Sequence, residues 1–139
     1  MTPETLSAIH AKAFSATRAW SAAEFASLLS HAGTSVHGSA ESFALIRVVA
    51  DEAEVLTLAT EPKKRRQGLA QAALVMGENA AQTAGAMTMF LEVGEDNTAA
   101  KTLYAACGYM QVGRRPNYYL PKNAAPVAAL VMRKDLNPA

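Results

Sequence analysis

The residues at positions 65–70 combine two adjacent arginines with a glycine, and read Arg65-Arg66-Gln67-Gly68-Leu69-Ala70. A run of β-forming residues from Val55 precedes this segment, and an Ala/Leu-rich helical pattern follows Gly68. The first N–H groups of a helix lack internal partners, and the helix dipole adds about half a positive charge there. Because the arginines add full charges and Gly68 lets a ligand approach the backbone, the segment predicts a phosphate or diphosphate site.

Neither a Walker loop nor a G-x-G-x-x-G fingerprint is present at this position. The segment instead resembles the Q/R-x-x-G-x-G/A signature of the GNAT superfamily of N-acetyltransferases, in which this loop holds the pyrophosphate of coenzyme A. A solvated charge cluster before a helix is the alternative interpretation of these six residues taken alone.

Three later stretches have the order and spacing of a second GNAT signature, L-E-V-x-x-x-N-x-x-A-x-x-L-Y-x-x-x-G-F/Y. They are Leu91-Glu92-Val93, Asn97 with Ala99-Ala100, and Leu103-Tyr104 with Gly108-Tyr109. The flanking segments Ala19-Trp20-Ser21, with Phe25, and Arg114-Arg115-Pro116-Asn117-Tyr118-Tyr119 resemble the RimI branch of this superfamily. Members of that branch acetylate the α-amino group of a ribosomal protein's N-terminal alanine.

Acetyl transfer from a thioester requires a neutral amine, whereas an α-ammonium has a pKa of ~8 and must lose a proton near neutral pH. Glu92, at the carboxyl end of a predicted central strand, can take that proton directly or through water. Tyr104 resembles the tyrosine that protonates the departing coenzyme A thiolate. The alternatives are a solvent-facing glutamate on an edge strand and a core aromatic on an amphipathic helix.

The resemblance also implies which residues contact acetyl-coenzyme A. The backbone of one strand pairs with the pantetheine, and Asn97 can both cap its helix and hydrogen-bond the same group. The predicted cofactor-binding residues are Leu58, Ala59, Thr60, Arg65, Arg66, Gln67, Gly68, Leu69, Ala70 and Asn97.

Three aromatic residues are candidates for contacts with the acceptor. Trp20 forms a wall of the acceptor pocket or a hydrophobic staple before a helix, and Tyr118 and Tyr119 line a peptide slot or belong to a surface loop. The chain departs from the RimI-type pattern at Gly94, where arginine is frequent, and at Ala128, where an acidic residue is expected. Both positions lie toward the acceptor.

The elements that must position these residues follow from hydrophobic periodicity and from cap and turn residues. The Leu6, Ile9 and Phe14 stripe predicts a first helix from Pro3, and a capping box at Ser21-Ala22-Ala23-Glu24 starts a second near Ala22. A third helix ends at Gly85, and within it we expect Gly77 to be a local weakness. A fourth spans Thr98 to Cys107. Strands are predicted at Phe43 to Val49, Glu54 to Ala59, Met87 to Val93, Tyr109 to Gly113 and Val127 to Arg133, with a strand or loop at Gly33 to Ala40 and a polar connection at residues 114–121.

These elements predict one α/β domain over residues 1–135, followed by a frayed tail at 136–139. The strand before the phosphate loop and the strand after the third helix should be parallel, because right-handed β-α-β crossovers produce parallel pairs. The resemblance implies the GNAT fold, a mixed central sheet splayed around acetyl-coenzyme A with helices on both faces.

The composition of the chain argues against several classes of function. The net charge is +1, which gives no basic face of the kind that nucleic-acid binding requires. The single cysteine, Cys107, excludes an internal disulfide, and the scattered His10, His31 and His37 give no metal-ligand spacing. No apolar run approaches the ~20 residues of a membrane span, so we expect a cytoplasmic protein without a structural metal, a signal peptide or a membrane partner.

The sequence therefore predicts direct transfer of acetyl from acetyl-coenzyme A to the N-terminal α-amine, most often alanine, of a ribosomal protein, whose N-terminal peptide is the partner. A GNAT enzyme for a small-molecule amine is the first alternative. A non-catalytic acyl-coenzyme A binding module is the second, although a sensor would need neither Glu92 nor Tyr104.

Overall fold

A computed structural model describes residues 1–14, 20–120 and 124–136, with four α-helices and six β-strands in these ranges. A short 3-10 turn, Pro62–Lys64, follows β3. The elements are α1 (Pro3–Ala13), α2 (Ala22–Leu29), β1 (Thr34–Gly38), β2 (Ser42–Val49), β3 (Glu52–Thr60), α3 (Leu69–Thr83), β4 (Thr88–Gly94), α4 (Thr98–Ala106), β5 (Met110–Tyr119) and β6 (Val127–Asp135).

The sheet has the strand order β1-β2-β3-β4-β6-β5, and β3–β4 is its only parallel pair within the described ranges. The β3–β4 register runs from Glu52↔Thr88 to Val55↔Leu91, whereas β3 continues to Thr60 and β4 to Gly94. The two strands therefore separate toward their carboxyl ends. The predicted mixed sheet, with its parallel crossover pair, is confirmed.

Helices cover both faces of the sheet. On one face, α3 and α4 bury Leu74, Met89, Leu91 and Met132 in a common core. On the other, α1 and α2 pack Leu6 and Phe25 against Phe43 and Leu45. The opening between β3 and β4 thus has a packed core on either side of the sheet. No helix in the described ranges is long and apolar enough to span a membrane.

The predicted helix starts are confirmed. Ser21 Oγ accepts a hydrogen bond from the Glu24 N–H, and the Glu24 carboxylate accepts one from the Ser21 N–H, at 3.1 Å each. Gly77 has a different role from the one expected. A Cβ at this position would lie 3.3 Å from Cγ2 of Ile46, so the missing side chain lets α3 pack closely on the sheet.

Two boundaries differ from the sequence expectation. The predicted polar connection at 114–119 is instead the second half of β5, in which Arg114 pairs with Leu130 and Arg115 with Ala129. The pairing resumes only at Tyr119↔Val127, so residues 116–118 form a wide bulge with Asn117 at φ 56°. Polar residues on an edge strand have no alternating burial to reveal them, and this hid the strand.

Leu136, which we placed in the frayed tail, is buried, and its N–H donates to the Met87 carbonyl at 2.9 Å. Leu136 belongs to the packed domain, because its side chain is part of the core that α3 and α4 cover. Residues 137–139 and Pro121 lie outside the described ranges.

Candidate functional site

The loop after β3 ends at Gly68, which adopts a left-handed conformation (φ 75°) at the position before α3. No side chain caps this helix start, and a Cβ on Gly68 would have no atom within 4 Å. Within the described residues, the N–H groups of Leu69 and Ala70 in the first turn have no hydrogen-bond acceptor. This arrangement suits an anion, as the sequence predicted.

The two arginines of this loop have different surroundings. Arg65 Nη2 donates to the Ala13 carbonyl at 3.2 Å, which ties the loop to the end of α1. Arg66 is exposed in a left-handed conformation (φ 65°), and it has no ion pair to any described residue. Gln67 beside it is also exposed. Arg66 is thus the guanidinium of this loop that is available to a ligand.

The last residues of β3 lie along the opening. Leu58, Ala59 and Thr60 pair with β2 on one side, and on the β4 side the pairing has already ended at Val55. Their outward-facing backbone groups can pair with an extended ligand as a strand would. Asn97 Oδ1 accepts the Ala100 N–H at 3.2 Å, which confirms the predicted cap of α4, and its contact with pantetheine stays a prediction.

Glu92 lies on the face of β4 opposite the α3–α4 core. Its side chain is 20% exposed, and one carboxylate oxygen is 3.2 Å from Arg115 Nη2. It borders a cavity of about 340 Å³, which is also lined by Arg47, Glu52, Glu54, Phe90, Arg115 and Val131. The solvent-facing alternative for Glu92 therefore does not describe this side chain, which is largely enclosed but open to the cavity.

Tyr104 is buried in the α3–α4 core, with its ring 5.9 Å from that of Tyr109. Burial raises the pKa of the Tyr104 hydroxyl, and the neighbouring Tyr119 and Cys107 raise it further. The Tyr104 hydroxyl oxygen has no hydrogen bond to any described residue. It is nevertheless not fully buried, because Thr34 Oγ1 is the only side-chain polar atom in these ranges that is fully buried without a hydrogen-bond partner. Tyr104 is thus both a core aromatic and a protonated donor at the edge of the core.

Tyr119 covers the end of β4. A Cβ at Gly94 would lie 3.0 Å from Oδ1 of Asp96 and 3.8 Å, an ordinary contact distance, from Cδ2 and Cε2 of Tyr119, so the ring lies next to position 94. Burial, the Glu92 carboxylate and Tyr118 together raise the pKa of Tyr119 to about 12. This hydroxyl therefore lies within electrostatic reach of both Glu92 and Tyr104.

Tyr118 and Trp20, the other predicted acceptor contacts, differ in their surroundings. The exposed Tyr118 ring packs edge-on against Tyr119 at 5.2 Å and lies under the Arg115 guanidinium at 5.5 Å. Trp20 stacks on His10 at 4.9 Å and contacts Phe25 at 5.6 Å. The Trp20 contacts favour the hydrophobic staple, and Arg18 and Ala19 before it lie outside the described ranges.

Arg115 is the residue of this site that the sequence did not single out. Extending the strand after Gly108 past Gly113 would have placed Arg115 on that strand, but only the pairing of β4 with β6 and of β6 with β5 puts it on the same face as Glu92. The sequence analysis predicted no structural metal site. Residues 1–14, 20–120 and 124–136 contain no group of three His, Cys, Asp or Glu side chains placed to hold a metal ion.

The chain matches a family model described as "Acetyltransferase (GNAT) family" over residues 8–109. It is 35% identical over 91 residues to the [ribosomal protein bS18]-alanine N-acetyltransferase of Haemophilus ducreyi, which covers 66% of this chain and 63% of that protein. The enzyme of the same name from Escherichia coli K12 is 37% identical over 83 residues, covering 60% and 56%. The matched part of the chain thus spans about 56 to 63% of the length of these relatives.

Solved structures extend the likeness to nearly the whole chain. The ribosomal-protein-S18-alanine N-acetyltransferase from Escherichia coli superposes with a TM-score of 0.87 and 30% identity, over 99% of this chain and 89% of that one. Ard1 from Thermoplasma volcanium superposes with a TM-score of 0.82 at 21% identity, over 99% and 95%, and this likeness concerns the fold alone.

Proposed function

Because this chain belongs to the GNAT acetyltransferase family, we propose that it transfers acetyl from acetyl-coenzyme A to the N-terminal α-amine of a ribosomal protein that begins with alanine. The observation that carries the chemistry is the Glu92 carboxylate, which lies on β4 one residue beyond the last β3–β4 pair and beside a cavity, with Tyr104 on the following helix. The acceptor class is supported by the likeness to the S18-alanine enzyme over 99% of this chain. Ribosomal proteins are made in the cytoplasm, where we place the activity.

The residues of the β3–α3 segment fit acetyl-coenzyme A. Gly68 and the free amides after it suit the diphosphate, Arg66 adds a charge that has no partner in the described ranges, and Leu58–Thr60 offer unpaired backbone to the pantetheine. One related fold, yncA from Salmonella typhimurium, was solved with acetyl-coenzyme A. This likeness supports only the class of ligand, acetyl-coenzyme A.

Acetyl-coenzyme A supplies the acetyl group as a thioester. Glu92 accepts the proton that the acceptor ammonium must lose, and the freed nitrogen lone pair forms a bond to the acetyl carbon while the carbon–sulfur bond breaks. Tyr104 donates its proton to the departing sulfur, and its raised pKa means that the hydroxyl is protonated when the sulfur departs. Glu92 then releases its proton to solvent, and the nitrogen, which still carries one surplus proton after the attack, loses that proton through water as Tyr104 is reprotonated, so the reaction releases one net proton and none stays on the enzyme.

Replacing Gly68 by valine tests the phosphate loop. The left-handed φ of 75° disfavours a β-branched residue, and the added methyl groups would stand where the diphosphate approaches the amides. We expect the affinity for acetyl-coenzyme A, measured by calorimetry, to fall about 30-fold, or ~2 kcal/mol, from lost charge-assisted contacts.

Gly85→Val is the matched control for this variant. Gly85 has φ 99° and likewise no atom within 4 Å of a Cβ, but it follows the opposite end of α3. The control should lose similar stability and keep the affinity of the unmodified protein. Unchanged affinity in a folded Gly68→Val protein would remove the phosphate-loop assignment.

The proposed acceptor is tested with peptides. A short peptide that begins with alanine should be acetylated on its α-amine, whereas the same peptide with a blocked amino terminus and an internal lysine should be inert, because the site is assigned to an N-terminal amine. Mass spectrometry of the products locates the acetyl group. Equal rates on the blocked peptide would assign side-chain acetylation, and turnover of small amines alone would favour the small-molecule alternative.

A further inference from the structure

The Glu92 carboxylate has a cationic partner that the proposed mechanism does not use. Arg115 Nη2 lies 3.2 Å from Glu92 Oε1, and the two side chains are 57% and 20% exposed. Glu92 must meet the acceptor ammonium if it is to take its proton, and in this structure a guanidinium occupies that position. Two cations therefore compete for one carboxylate.

Small residues on β5 and β6 leave room for the contact between Arg115 and Glu92. Glu92 pairs with Val131 on β6, and Val131 pairs in turn with Gly113 on β5, so the residue level with Glu92 on β5 has no side chain. Arg115 pairs with Ala129, a residue with only a methyl group. The Arg115 side chain can thus cross β6 diagonally and reach Glu92.

The other end of the guanidinium contacts an aromatic ring. Its Cζ lies 5.5 Å from the centroid of Tyr118, whose position is set by the bulge at residues 116–118. A cation–π contact of this kind remains available when the carboxylate is lost. When the Arg115 guanidinium leaves Glu92, it can therefore stay on the Tyr118 ring, where it is in contact with water.

We propose that Arg115 is a positioning residue for Glu92: its guanidinium holds the carboxylate in place in the free enzyme, and the acceptor ammonium displaces it before proton transfer. This inference rests on the proposed function. An ion pair with a half-exposed arginine is weak enough to open reversibly. The exchange leaves the charge next to the carboxylate unchanged, so a largely enclosed anion is never left without a counter-ion.

Other charged groups line the cavity that Glu92 borders, and they are unchanged in the Arg115 variants. Glu52 and Glu54 on β3 and Arg47 on β2 line the cavity, and Arg47 is paired with Glu54 at 3.4 Å. Tyr119 on β5 is neutral, with its pKa raised to about 12. Within the described ranges, Arg115 is the cation in direct contact with Glu92.

The test compares Arg115→Gln with Arg115→Lys, using the alanine-initiated peptide and saturating acetyl-coenzyme A. Loss of the positive charge favours the protonated form of Glu92, so kcat/KM of Arg115→Gln should fall progressively at acid pH. We expect almost no loss at pH ~8.5 and a loss that grows as the pH falls but stays below about threefold at pH ~5.5, because a half-exposed ion pair is weak. Arg115→Lys, which restores the charge, should recover most of the acid-side activity.

A second readout needs no turnover. In the free protein with labelled glutamate, the Glu92 carboxyl carbon is identified by NMR as the signal that is missing in Glu92→Gln. Its pH transition should lie at higher pH in Arg115→Gln than in the unmodified protein. A purely structural role of Arg115 would not move this transition.

Arg47→Gln is the matched control, since it removes the same charge from the same cavity without touching Glu92. Its effect should be independent of pH. The inference is wrong if Arg115→Gln loses activity equally at all pH values, if it loses none, or if Arg47→Gln reproduces its acid-side loss. Should the unmodified protein fail to acetylate the peptide, the proposed function fails, and the NMR transition still decides whether Arg115 controls Glu92.

Discussion

Glu92→Gln should lower turnover of an alanine-initiated peptide by about 10²-fold or more at neutral pH, the usual scale for a positioned base. The amide has nearly the shape of the carboxylate but cannot accept the proton of the ammonium. Raising the pH toward and above the amine pKa of ~8 supplies neutral amine from solution, so part of the loss should be recovered there. The measurement is a pH series of kcat at saturating acetyl-coenzyme A.

Glu54→Gln is the control for this substitution, because it removes a second carboxylate from the cavity that Glu92 borders. Glu54 is held by Arg47 and is 46% exposed, so its loss should have a small effect without alkaline recovery. Affinity for acetyl-coenzyme A should be retained in both variants. A Glu92→Gln enzyme with full turnover at neutral pH would mean that another group or a water chain takes the proton.

Tyr104→Phe is expected to reduce turnover by roughly 10²-fold, the typical contribution of a positioned acid, while the ring keeps its packing. The raised pKa of Tyr104 keeps its hydroxyl protonated through neutral and mildly alkaline pH. Removing that hydroxyl therefore removes a proton donor across this whole range. A higher pH cannot replace the donor, so this variant should show no alkaline recovery, in contrast to Glu92→Gln.

The adjacent Tyr109 provides the comparison for Tyr104. Its hydroxyl donates to Glu78 at 2.7 Å in the same core, and Lys134 also pairs with Glu78, at 2.9 Å. Tyr109→Phe should lower the melting temperature through the lost buried hydrogen bond and keep the rate. Full turnover in Tyr104→Phe would leave Tyr104 with a packing role only.

The local parts of this fold could be predicted because short stretches of sequence determine them. The capping box at Ser21 and Glu24, the Asn97 cap and the glycine after α3, Gly85, each depend on neighbours a few residues away. The parallel β3–β4 pair followed from the handedness of crossover connections. The succession of strand, loop and helix around Gly68 was predicted for the same reason, and its role as a phosphate loop stays a prediction.

The parts that were missed depend on contacts distant in sequence. Arg115 is recognisable only once β5 is known to lie beside β6, where Arg115 pairs with Ala129. The ring of Tyr119 over Gly94 joins residues from two strands that are not neighbours in the sheet, which no periodicity reveals. Leu136 looked like part of a tail until Met87 was known to pair with it.

The bulge at residues 116–118 also affects how copies of this chain meet at high concentration. β5 is the outer strand of the sheet, and Met110 and Val112 on it are 66% and 52% exposed. A flat apolar edge of this kind is a template for pairing with another chain. Pro116, which lacks an N–H, and the left-handed Asn117 interrupt that template in the second half of β5, so the bulge that places Tyr118 beside Arg115 also limits edge-to-edge self-association.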